Sequence, residues 1–174
     1  MRSVVTAFQQ LRARRWARWV MDALFVVAIF MAVNAWQTRH HTSGDAPAFS
    51  LVTLEGELIA KEDLVGKPTL LVFWAPWCRV CELESRNVSW VQSFVGARAR
   101  VLSIASEYDD VDAVRDYVAR NNVDYPVLLG GSQTARAYRV GAFPSAYFLD
   151  EEGRVTASVV GYTSTAGLLL RLLL

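Results

Sequence analysis

From Trp19 to Thr38 the chain reads WVMDALFVVAIFMAVNAWQT, a run whose only charged residue is Asp22. A helix rising about 1.5 Å per residue covers roughly 30 Å over such a length, the thickness of a bilayer's hydrocarbon core. The pattern therefore predicts a membrane-spanning helix over 19–38. Residues 37–47, QTRHHTSGDAP, then lose all apolar periodicity and collect turn-forming residues, as a tether does. Beyond it, strand and helix patterns alternate. FSLVTL and EGELI predict a hairpin turning at Glu55-Gly56, and KEDLVGK a short helical turn ending at Gly66. PTLLVFWA, apolar throughout and rich in β-branched and aromatic residues, predicts a strand buried on both faces. A helix should open near Cys78 and run towards Phe94, followed by a second buried strand in ARVLSIAS. DDVDAVRDYVARNN places Val111, Val114, Tyr117 and Val118 at helical spacing, with acids at its start. YPVLLG, a short helix through Ala135, then SAYFLD and RVTASVVG joined through Glu151 to Gly153, complete the sheet. TSTAGLLLRLLL predicts a closing helix capped by Thr163 or Ser164. Strands alternating with helices and ending in an antiparallel pair predict an α/β sandwich on a central mixed sheet.

Charge sharpens this division. Before residue 45 stand Arg2, Arg12, Arg14, Arg15, Arg18 and Arg39 against the single acid Asp22, whereas the remainder has 12 basic and 16 acidic residues. Five of those arginines precede the apolar run, so the positive-inside bias puts the N-terminus in the cytoplasm and the body outside it. Trp16, Trp19 and Trp36 stand where interfacial aromatics belong. The expected organisation is a basic head over 1–18, an anchor over 19–38, a linker over 39–46 and the α/β domain over 47–174. A cleaved signal peptide is the rival reading, because Val33-Asn34-Ala35 carries small residues at the spacing of a cleavage site. The body has no basic patch with interleaved aromatics, so nucleic acid is not an expected partner.

The two cysteines, Cys78 and Cys81, lie in FWAPWCRVCELE, where an apolar strand gives way to a helix. At a helix start, unpaired N–H groups and the positive end of the helix dipole favour a thiolate. Arg79 adds positive charge nearby. Cys78 is thus the expected nucleophile, and Cys81, one turn on and on the same face, the thiol that resolves a mixed disulfide. Other chemistries remain open. A zinc site would need four ligands, and only His40 and His41 in the linker could join the pair. A purely structural crosslink would close a very short loop. Two thiolates also suit copper(I). Pro144, in VGAFPSAYFLD just before a strand, suits a turn through a cis bond after Phe143. Lacking an N–H, it would leave peptide groups around Phe143 open to an extended substrate.

FWAPWCRVC after an apolar strand, with GAFPSAYFLDEEGRV later in the chain, resembles the thioredoxin superfamily. Within it, YPVLL and AYRVGAFPSAYFLDEEGRV make residues 46–174 similar to the membrane-tethered thiol-disulfide oxidoreductases of the TlpA type. That group includes thioredoxin-like proteins of cytochrome c maturation and suppressor of copper sensitivity protein D. The resemblance implies a thioredoxin-like three-layer sandwich after one N-terminal transmembrane helix. It implies Cys78 as exposed nucleophile, Cys81 as resolving thiol, Pro144 as the cis-proline beside the disulfide and Trp77 as the residue shielding the nucleophile. Glu84 falls where some TlpA-type proteins carry an acid; it would act in proton transfer at Cys81 or be a solvated helix residue. The pattern departs from thioredoxin proper at Val72, where that protein has a buried aspartate, and in the Arg79-Val80 dipeptide, which could raise the reduction potential. The implied protein is periplasmic and held in the bacterial inner membrane. Its only redox group would be the Cys78–Cys81 disulfide, with no further cofactor or metal. Its partners would be exported protein thiols and disulfides and an integral-membrane electron donor. A copper-binding or copper-tolerance protein and a thioredoxin-fold peroxidase are the alternative classes.

Overall fold

The protein is described here by a computed structural model covering residues 16, 18–29, 31–33 and 44–173. It divides into two units, residues 1–39 and 40–174. In the first, residues 18–29 and 31–33 are helical with exposed side chains. Among the described residues no helix is long and apolar enough to cross a membrane. The expected span over 19–38 runs through residues 30 and 34–38, outside the described residues, as do nearly all of the expected basic head, Asn34-Ala35, and His40 and His41 in the linker.

The second unit is organised by β4 (Thr69–Trp74), buried at all six positions. Its side chains alternate between two cores: Leu70 and Val72 join one, Leu71 and Phe73 the other. A strand with water on neither face favours apolar residues at every position, which is why Leu70 to Trp74 run apolar rather than alternating, while the buried Thr69 hydroxyl donates to the Lys67 carbonyl at 3.2 Å. β4 runs parallel to β5 (Arg100–Ala105) and antiparallel to β7 (Ser145–Leu149), and β5 is parallel to β6 (Val127–Leu129). With β8 (Arg154–Val160) and β1 (Gly44–Asp45), both added antiparallel, the sheet order is β1-β8-β7-β4-β5-β6.

Against the first core lie α1 (Arg79–Val95), through Val88, Val91 and Val95, and α4 (Thr165–Leu173), through Leu168 and Leu172. Parallel strands require a crossover, and α2 (Val111–Asn121) provides the one from β5 to β6, burying Val114 and Tyr117. The other core is closed by residues outside the sheet. Leu51 comes from β2 (Ser50–Val52), Ile59 from β3 (Leu58–Ala60), Leu64 from a 3₁₀ turn over Lys61–Leu64, and Tyr138 from the end of α3 (Ser132–Ala137). The result is the expected three-layer α/β sandwich with a mixed central sheet.

The elements predicted from the hairpin at Glu55-Gly56 onward appear in the predicted order. Ser164, rather than Thr163, caps α4, its hydroxyl accepting the Gly167 N–H at 3.3 Å. The linker boundary needs correction. Gly44 and Asp45, assigned to a linker over 39–46, pair with Val155 and Arg154, and Ala46 is buried. An edge strand this short is held by backbone bonds alone, so its side chains carry no apolar signature.

Candidate active site

After Trp74 the chain turns tightly, the Cys78 N–H donating to the Ala75 carbonyl at 3.0 Å. Cys78 has extended dihedrals and is the N-cap of α1, its Sγ accepting the Cys81 N–H at 3.2 Å. A side-chain acceptor at this position satisfies one of the helix's free donors. When the acceptor is sulfur, the same geometry favours the thiolate once the bond is reduced. Cys78 and Cys81 form a disulfide with Cα atoms 5.3 Å apart. Cys78, expected to be exposed, is buried at 6% exposure, and Cys81 is buried too; both lie in one apolar cluster with Trp74, Val114 and Tyr117, and Phe143 packs against that cluster.

The Phe143–Pro144 bond is cis. The Phe143 ring meets that of Trp77 edge-on at 5.9 Å, and the Trp77 indole N–H donates to the Glu107 carbonyl at 3.0 Å. Trp77, although 63% exposed, is therefore held from two sides. Beside it opens a cleft of about 340 Å³ whose lining includes Glu107, Asp109, Asp110 and Asp116, with Arg120. Arg79 turns outward: its side chain is 90% exposed and pairs with Glu82 at 3.9 Å, so water screens its charge.

Glu84 is not the solvated helix residue that its charge allowed, being only 2% exposed. One carboxylate oxygen accepts the Thr163 N–H at 2.8 Å, and the other is buried with no hydrogen-bond partner. Desolvation pushes its pKa up from 4.5 to about 7, against the opposing pull of the Thr163 bond. One turn on, Asn87 donates to the Thr163 carbonyl at 2.8 Å, so α1 grips both sides of that residue. Ser85, a turn beyond Cys81, donates to the Cys81 carbonyl at 2.9 Å and shares a 2.7 Å hydrogen bond with the Tyr117 hydroxyl. Tyr117 stacks on Trp74 at 4.0 Å, and its burial pushes its pKa up to about 12, which keeps the phenol protonated.

The structure thus brings Cys78 and Cys81 into one disulfide and Trp77, Phe143 and Pro144 into one loop cluster around it, with Glu84 a turn beyond Cys81 on α1. It leaves Arg79 in solvent. Sequence reasoning missed Ser85, Tyr117, Asn87 and Thr163. Ser85 and Asn87 could have been found from their helical spacing to Cys81 and Glu84, whereas Thr163 lies on a loop that only the fold brings near.

A cysteine pair at the head of a helix, capped by its own first turn and packed beside a cis-proline loop on a mixed sheet, defines a thioredoxin-fold thiol-disulfide oxidoreductase. Residues 43–158 match the AhpC/TSA family, and the chain belongs to it. It is 32% identical over 119 residues to the thiol-disulfide oxidoreductase ResA of Bacillus thuringiensis (strain Al Hakam), covering 67% of this chain and 68% of that protein. It is 28% identical over 153 residues to the thioredoxin-like protein YneN of Bacillus subtilis (strain 168), covering 83% of this chain and 90% of YneN. Among solved structures, MTB DsbF in mixed oxidised and reduced forms aligns with a TM-score of 0.66 at 31% identity, covering 71% of this chain and 92% of that one. A secreted Mycobacterium tuberculosis disulfide oxidoreductase homologous to E. coli DsbE aligns with a TM-score of 0.64 at 27% identity, covering 71% and 93%.

Proposed function

We propose that this chain is a membrane-tethered periplasmic reductant of disulfides in exported proteins, recharged by an integral-membrane electron donor. The observation that carries the chemistry is the N-cap geometry of Cys78, with Cys81 buried behind it. In the reduced protein the Cys78 thiolate attacks a substrate disulfide. A mixed disulfide forms and one substrate sulfur leaves as a thiolate. The deprotonated Cys81 then attacks Cys78 Sγ, the second substrate sulfur leaves, and the Cys78–Cys81 disulfide remains. Two electrons have passed to the substrate, and a donor dithiol must return them.

Glu84, one turn from Cys81 with a free carboxylate oxygen and a pKa near neutrality, is the group suited to take the Cys81 proton. Trp77 and Phe143 frame the approach of an extended substrate, whose backbone the Pro144 loop leaves room to pair. The tether reading rests on the apolar run of 19–38 and its preceding arginines. An oxidising periplasm supplies the reason for a membrane donor.

Two variants test the mechanism. Cys78→Ser is expected to abolish disulfide exchange, and Cys81→Ser to accumulate mixed disulfides with substrate that a reducing gel releases. Wild-type exchange by Cys78→Ser would overturn it. Stoichiometric copper(I) uptake without exchange would instead favour a metal-binding role for the same thiols.

A further inference from the structure

Helix α1 is apolar on two sides. Its inner side is taken up by the core through Cys81, Val88, Val91 and Val95. On its outer side Val80, Leu83, Trp90 and Phe94 are 42, 68, 66 and 58% exposed. Together with half-buried Asn87 they recur at alternating steps of three and four, which on an α-helix makes one continuous stripe. Among the described residues none covers this stripe, and single scattered surface apolar residues would not line up in this way.

Its borders are cationic. Arg79 and Arg86, two turns apart, form the adjacent row, and the Arg98 guanidinium lies 5.6 Å over the Phe94 ring. Tyr162, 54% exposed, shares a cleft with Leu83 and Arg86. Of the two acids on the helix, Glu84 is buried and Glu82 pairs with Arg79. Tryptophan, phenylalanine and tyrosine bordered by arginine is the composition of surfaces that lie at the headgroup level of a bilayer. The covalent chain points the same way. Residues 39–43 join the apolar run to Gly44, and five extended residues reach at most about 18 Å.

We propose that this outer stripe of α1, with Arg79, Arg86 and Arg98, seats the domain on the anionic phospholipid surface of the membrane that tethers it. The proposal rests on the tethered reading above. Because α1 begins at the disulfide, such a contact holds the Cys78 end of the helix at headgroup level, where the thiols of a membrane-embedded donor can reach it.

The full chain, reconstituted in vesicles of phosphatidylethanolamine and phosphatidylglycerol, gives the test. Flotation after a carbonate wash reads the tether alone. Tryptophan emission is then compared between the wild type and Trp90→Phe, so that the difference isolates Trp90. With lipids brominated high on their acyl chains, that difference is expected to be blue-shifted and to lose most of its intensity. Leu83→Ser with Phe94→Ser, both at exposed positions, should restore it, and vesicles of phosphatidylcholine should quench it less. Equal quenching in phosphatidylcholine overturns the anionic preference. A chain that floats while Trp90 is reached by aqueous iodide and not by bromolipid overturns the docking and leaves the tether standing. A blue shift that grows with protein density without bromolipid quenching also overturns it, in favour of a second copy on the stripe. A chain that washes off the vesicles overturns the tether, and the docking with it.

Discussion

Glu84 carries opposing demands in a single carboxyl: one oxygen bonded to the Thr163 N–H, the other buried without a partner. A carboxylate in that setting is disfavoured relative to the carboxylic acid, so its folded-state pKa is raised from 4.5 to about 7. The folded state then binds more protons than the unfolded state across that window, and stability must fall as pH rises through it. Below pH 4.5 both states hold the proton and nothing is lost; above about pH 7 the full cost applies, on the order of 3 kcal/mol. Glu84→Gln keeps an oxygen to accept the Thr163 N–H and cannot ionise. Denaturant unfolding should therefore show the variant close to the wild type near pH 4.5 and more stable above pH 7, by about 1–3 kcal/mol. The same variant should flatten the pH dependence of Cys81 resolution, and an unchanged profile would remove Glu84 from that step. The acid's position relative to Cys81 was legible in the sequence, since residues three apart share a helix face. Its burial was not, because Thr163, the residue that covers it, is brought near only by the fold.

The elements that sequence located best are those whose pattern is fixed by burial on two sides. β4 and β5 are mostly apolar because helices cover one face and the hairpin layer the other, so their runs predicted both position and depth. β1 was missed because Gly44 and Asp45 contribute backbone bonds and no side chain to the core. The end of β6 shows a constraint of a third kind. The Gly130 N–H donates to the Ala105 carbonyl at 3.0 Å, and a Cβ on Gly130 would run into Ile104 Cγ2 and lie 3.0 Å from that carbonyl oxygen. Glycine is required there by close approach of β6 to β5, which no local pattern announces. Gly130→Ala is expected to cost about 1–3 kcal/mol, read as a lowered denaturation midpoint with an unchanged slope. A variant as stable as the wild type would show that the β5–β6 edge yields more easily than its packing implies.

For the molecule as a whole, the direction of electron flow depends on how much better the fold holds a thiolate than an unfolded dithiol does, since a better-held thiolate makes a stronger oxidant. The sequence put Arg79 beside the nucleophile and so suggested an upward push on the potential. The fold removes most of that push: the side chain is 90% exposed, paired with Glu82 and screened by water. What remains is one N–H on Cys78 Sγ and the head of the 17-residue helix α1, opposed by burial of both cysteines, which disfavours charge. Those contributions favour a low potential, in keeping with the proposed reductant role. Equilibration against dithiothreitol or glutathione buffers is expected to give a potential nearer thioredoxin's, roughly −270 mV, than DsbA's, roughly −120 mV. Arg79→Gln should move it by less than about 30 mV, a tenfold change in the exchange equilibrium. A value near −120 mV, or a larger response to Arg79→Gln, would mean that the guanidinium reaches the sulfur in the reduced protein and that the chain works as an oxidant.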